Sequence, residues 1–194
     1  MSKSNKEELE KLISQVDEGN YDAAYKIGMK YLYGNGVLKD PWEAFMWFGG
    51  GHYNILGKDY PKGELTGDCY YMSALIEFEG KIVDRNTHNA RRDWKSGSDL
   101  GHSGCSFRLG IMYFNYFDMG IGSMEIGKKY IKIAYEQGSL EAEKFWNENK
   151  LYKLPDLDKD LYTESGQFRP EFMQLGIKIS ESAEVINKSI TIKS

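Results

Sequence analysis

No stretch of this 194-residue chain approaches the roughly 18 consecutive apolar residues of a membrane-spanning helix. The opening MSKSNKEELEKLISQ has no apolar run of signal-peptide length, which predicts a cytoplasmic protein with no membrane partner. Cysteine is scarce: Cys69 and Cys105 are the only two, their spacing fits no metal-ligand motif, and both are expected to be small buried residues. Four prolines leave room for long helices. A net charge of −4 gives no electrostatic reason to bind nucleic acid or an anionic membrane.

The signatures of common chemistry are also missing. There is no Ser-x-x-Lys, Gly-x-Ser-x-Gly, His-Glu-x-x-His or Walker sequence. His52, His88 and His102 are far apart in the chain, and paired carboxylates such as Glu7 and Glu8 fall on exposed helix faces. No catalytic residue, metal ligand or cofactor site is predicted.

What the chain does have is aromatic residues, 14% of the total with 14 tyrosines, and a repeat. Tyrosine combines large area with a polar tip, so it serves both helix packing and protein interfaces. The run GNYDAAYKIG over 19–28 is echoed by GHSGCSFRLG over 101–110, and more weakly by CYYMSA over 69–74. Gly28, Ala74 and Gly110 correspond, which gives a unit of about 36 residues, with an insertion of about ten in the first copy. Both cysteines take the position of Ala23.

These segments, GNYDAAYKIGMKYLYGNGVLKDPWEAFMWF with GHSGCSFRLGIMY and YIKIAYEQG, resemble Sel1-like repeats, helical hairpins related to the tetratricopeptide repeat. In the second copy Gly36 is replaced by Ile82 and the motif tyrosine Tyr31 by Glu77. The resemblance implies an all-α fold, an α/α solenoid in which antiparallel helix hairpins wind into a right-handed superhelix. It also implies a protein-binding role, with the first helix of each hairpin lining the concave side. Some secreted members of that family staple each repeat with a disulfide, and this chain lacks the cysteines to do so.

Taken in order, residues 1–18 read as a capping helix, started by Ser4 or Asn5 and carrying the stripe Leu9, Leu12, Ile13 and Val16. Residues 19–150 hold about three and a half repeats. The first has a helix over about 22–33, a Gly34-Asn35-Gly36 turn, and a second helix capped by Asp40 with Pro41 in its first turn. No strand precedes that turn and no Gly-Lys-Ser/Thr follows, so it is not a phosphate loop. Gly49, Gly50 and Gly51 end the second helix early. Later hairpins fall at about 68–79 with 87–98 and at about 103–114 with 123–137, and a half repeat ends near Lys150. Residues 151–194 form an extension: an extended link through Pro155, Asp156, Asp158 and Asp160, then a helix over about 170–187 that caps the stack or folds back into its groove.

Positions that stay apolar in all copies are packing positions, whereas those that vary are free to meet a partner. On the first helices the variable set is Lys26, Lys30 and Tyr33, then Met72, Ile76 and Glu79, then Arg108, Met112 and Asn115, each at i, i+4, i+7 on one stripe. His52, Tyr53 and Tyr60 of the insertion form a second candidate contact. Arg85, Arg91, Arg92 and Lys95, like Lys128, Lys129 and Lys132, read as solvated helix faces. The expected function is a non-enzymatic module that holds a protein or peptide, for instance a bacterial adaptor or an immunity protein that sequesters a toxin or effector. A hydrolase of cell-wall-type material and a self-associating structural protein are the alternatives.

Overall fold

In the computed structural model, residues 2–20, 22–49, 63–115, 123–190 and 192 are described. They hold nine α-helices and no β-strand, with one isolated antiparallel bridge between Tyr162 and Phe168. The chain divides into two compact units, broken between Leu100 and Gly101, with Ile192 grouped with the first unit.

The first unit contains α1 (Lys3–Asp17), α2 (Asp22–Tyr33), α3 (Pro41–Trp47), α4 (Thr66–Glu79) and α5 (Thr87–Asp99). Ser2, rather than Ser4 or Asn5, caps α1 by accepting the Asn5 N–H at 3.2 Å. The Asn5 side chain instead packs on the first turn, so close to Gly36 that a Cβ there would lie 2.8 Å from it. Leu9 and Val16 of α1 are buried against Ala23, Ala24 and Ile27 of α2 and Trp47 of α3. Gly34 and Gly36 both take positive φ, at 75° and 79°, so the chain reverses where an L side chain would be strained. Asp40 then accepts the Glu43 N–H at 3.0 Å and Pro41 opens α3. That helix lasts only seven residues. It stops where Gly49 turns to φ 88°, as the glycine run implied, with Gly50 and Gly51 outside the described residues.

The hairpins close through one recurring contact between a small residue and a large one. A Cβ on Gly28 of α2 would sit 2.5 Å from Phe48. In the second hairpin Ala74 and Trp94 take these two positions, and both are fully buried.

The second unit contains α6 (Ser103–Asn115), α7 (Met124–Glu136), α8 (Leu140–Glu148), two short 3-10 turns at Leu151–Lys153 and Asp158–Leu161, and α9 (Pro170–Lys188). Gly110 of α6 meets Ile131 of α7, where an added Cβ would lie 2.7 Å away, and Gly127 of α7 meets Phe114 with 2.8 Å. The acidic link is not simply extended. Asp158 accepts from the Ser123 hydroxyl at 2.7 Å and the Glu125 N–H at 2.8 Å, and its own N–H returns to the Glu125 carboxylate. A carboxylate is stabilised at a helix N-terminus, so the link is pinned to the start of α7. Lys128, expected on an outer face, is instead tied to the Leu154 carbonyl and to Asp156, both at 2.7 Å.

Helix α9 packs chiefly on α6. Ile179 and Ala183 are fully buried in a core with Phe107, Ile111, Phe114, Ile131 and Phe145. The small residues Gly176, Ser180 and Ala183 let it approach, and the Ser180 hydroxyl donates to the Phe114 carbonyl at 3.2 Å. At the end of α8, Lys178 donates to the Glu148 carbonyl and Ser182 to the Asn149 amide oxygen.

Candidate functional site

Helix α9 lies on α6 and is tied to the end of α8 by Lys178 and Ser182, and the three helices leave a cleft of about 720 Å³ in the second unit. A volume of this order suits a small ligand or a few peptide residues. Phe107 of α6 and Phe145 of α8 form its floor, both 3% exposed, with ring centroids 6.3 Å apart at 77°. Val185 and Ile186 of α9 extend the apolar surface, and Val185 is 67% exposed. An aliphatic side chain that open, next to an aromatic floor, gains from being covered.

The rim is charged and mixed. Arg108, Lys144 and Lys178 face Glu141 and Glu148 around the opening. Arg108 lies over the Phe107 ring at 5.8 Å, a cation–π contact that holds the guanidinium near the cleft wall. Lys178 sits on the C-terminal carbonyl of α8, where a cation matches the helix dipole. Lys144 and Glu148 pair at 4.0 Å one turn apart. The hydroxyls that reach the cleft are engaged: Ser182 with Asn149, and Ser189 with the Ile186 carbonyl at 2.8 Å.

The predicted residues distribute unevenly. Arg108 lines the cleft. Met72, Ile76 and Met112 are 8%, 0% and 6% exposed, so burial removes them from any surface. Met72 and Ile76 lie on α4, which packs against α5 as well as α2 and α3, and α6 carries both α7 and α9. Lys30 pairs with Glu8 at 2.8 Å, and Glu79 pairs with Lys81 while accepting the Ile192 N–H. Lys26 and Tyr33 are exposed and Asn115 is half-buried. His52, Tyr53 and Tyr60 lie outside the described residues. His102 caps α6 by accepting the Cys105 N–H at 3.1 Å. Both cysteines are buried thiols outside any disulfide, and burial pushes the Cys69 thiol up to about 12. Among the described residues no three histidine, cysteine or carboxylate groups gather to hold a metal.

The cleft residues on α8 and α9 were not among the predicted contacts. Their one sequence signal is the apolar Val185-Ile186 pair at the end of an otherwise amphipathic stretch; Val185 is exposed and Ile186 half-buried.

No known family's sequence model matches the chain, and no curated protein does. Solved structures match its fold. One is a Sel1 repeat protein from Oxalobacter formigenes, 18% identical, with a TM-score of 0.55 over 73% of this chain and 98% of that one. Another is c5321, a protective antigen of uropathogenic Escherichia coli with an SLR fold, 20% identical, with a TM-score of 0.57 over 74% of this chain. The chain spans only 32% of that antigen's structure. At these identities the likeness establishes the fold: an all-α helical-repeat fold of the Sel1-like type, an α/α solenoid, as the repeat resemblance implied.

Proposed function

We propose that this chain is a non-enzymatic interaction module that holds a segment of another protein on the cleft bounded by α6, α8 and α9. The observation that carries the reading is the apolar floor of Phe107, Phe145, Val185 and Ile186 inside a rim of both charge signs. Such a site suits a peptide that buries one bulky side chain while its backbone and flanking charges meet the rim. The engaged hydroxyls at the cleft support binding over turnover. An adaptor, or an immunity protein that sequesters a toxin or effector in the cytoplasm, is the biological role that fits one tight site of this kind.

The test is capture of partners by the tagged protein from its own cell lysate, repeated with Arg108→Glu/Lys144→Glu. The wild type is expected to retain a stoichiometric partner that the double variant loses while keeping its helical circular dichroism. Equal capture by both would place the contact elsewhere, and turnover of a substrate by the purified protein would overturn the non-enzymatic reading.

A further inference from the structure

Counting from the N-caps Asp40, Asn86 and Ser123, the second helices of the three hairpins align Trp47 with Asp93 and Tyr130. On the first helices Tyr31, Glu77 and Tyr113 correspond. The same pair of positions thus holds Tyr31 and Trp47 in the first hairpin and Tyr113 and Tyr130 in the third, where the rings stack with centroids 6.0 Å apart. In the second hairpin it holds two carboxylates. Glu77 is 3% and Asp93 2% exposed, in a site the other hairpins fill with rings.

From this placement we infer that the α4–α5 hairpin is a proton-operated element, closed with Glu77 neutral and loosened when Glu77 loses its proton to solvent. Two ionised carboxylates cannot share a buried site cheaply, since burial and mutual repulsion both favour one neutral acid. The bonds around the pair assign the roles. Asp93 accepts from the Ser73 hydroxyl at 3.1 Å and lies 3.7 Å from the Arg92 guanidinium, both of which favour its anion. Glu77 receives one bond, from the Asn89 amide at 3.1 Å, while its other oxygen is buried without a partner. A lone buried oxygen of this kind disfavours the charged form.

The groups acting on Glu77 come from α5: Asp93, Asn89 and Arg92. On its own helix, Tyr70 faces Asp93, and Glu79 is held by Lys81. Arg85, in the turn, stacks on Phe78. The charged groups of α2 and α3 are directed to other partners: Asp22 to the Leu65 N–H, Lys30 to Glu8, and Glu43 to the Trp47 indole; Lys26 is exposed. Desolvation first, then Asp93, pushes the Glu77 carboxyl up to about 7 from 4.5. An acid whose folded-state value is raised holds its proton longer in the folded chain. Its stabilisation is complete below about 4.5 and is lost as pH rises through about 7.

The experiment is a carbon-13 titration of the glutamate and aspartate carboxyls of the full chain, with urea unfolding followed from pH 5 to 8.5. Glu77 is expected to titrate near neutrality, far above the exposed carboxylates. The urea midpoint should fall across this range in the wild type and stay level in Glu77→Gln. Asp93→Asn, which keeps the acceptor for Ser73, should move the Glu77 titration to lower pH, a shift that a purely structural role for Asp93 would not produce. Should Glu77→Gln fail to fold, the wild-type titration and Asp93→Asn still decide the matter. Titration of Glu77 in the ordinary carboxylate range, or parallel urea profiles for wild type and Glu77→Gln, would overturn the inference.

Discussion

The α4–α5 and α6–α7 hairpins are two executions of one plan, and they differ in how they fill it. Both close on a small residue against a large one, Ala74 with Trp94 and Gly110 with Ile131. One turn further along, α6–α7 stacks Tyr113 on Tyr130, whereas α4–α5 buries Glu77 beside Asp93 and leaves the Trp94 indole N–H without a partner. In the first hairpin Trp47 takes the position of Asp93, and its indole is satisfied by donating to Glu43 at 3.0 Å. The difference teaches that the crossing contact defines the repeat. The neighbouring pair can change chemistry without altering the fold, at a cost in unsatisfied polar groups.

The largest effect should come from removing the large partner. Trp94→Ala would empty the centre of α4–α5, costing about 3–5 kcal/mol, measured by urea unfolding. A loss under about 1 kcal/mol would mean that Trp94 does not organise this hairpin. Next comes the small partner. Gly110→Leu should cost about 1–3 kcal/mol, because the added atoms meet Ile131 and also the Gly127 carbonyl, which cannot turn aside. Asp158→Ala, which strips two hydrogen bonds from the start of α7, should cost about 1–2 kcal/mol and loosen the α7 N-terminus in hydrogen exchange.

The smallest effect carries the opposite sign. Gly176 on α9 faces Met124 at an ordinary 3.5 Å, so Gly176→Ala should fit and raise stability by about 0.5–1 kcal/mol. A loss of stability from that change would show that α9 approaches Met124 of α7 more closely than a methyl group allows.

Much of this plan was legible in local chemistry. Asp40 followed by Pro41, the Gly34-Asn35-Gly36 turn, and the recurrence of Gly28 as Ala74 and Gly110 placed the helices and their crossings, because caps, positive φ and close approach each demand particular residues. The cysteines fell at a small-residue position and are indeed buried. The surface was harder to read. Spacing along one helix identifies a stripe but not what covers it, so Met72, Ile76 and Met112 look available in sequence and are enclosed by neighbouring helices.

The docking of α9 on α6 is the clearest case. It rests on contacts between positions far apart in the chain, as between Ser180 and Phe114, 66 positions away. No local signal encodes that pairing. The cleft that depends on it, with Lys178, Ser182 and Val185 on one wall, was hidden for the same reason. Arg108 alone was visible, as a cation replacing a repeat position on α6.

The interaction role of that cleft is tested most directly by a photo-crosslinking residue placed at Val185, with Trp42 in the first unit as the control position. Trp42 is also exposed, at 55%. In cell lysate the account predicts one dominant adduct from Val185, lost when Arg108→Glu/Lys144→Glu is added, and none of that adduct from Trp42. The same adduct from Trp42 with none from Val185 would contradict it.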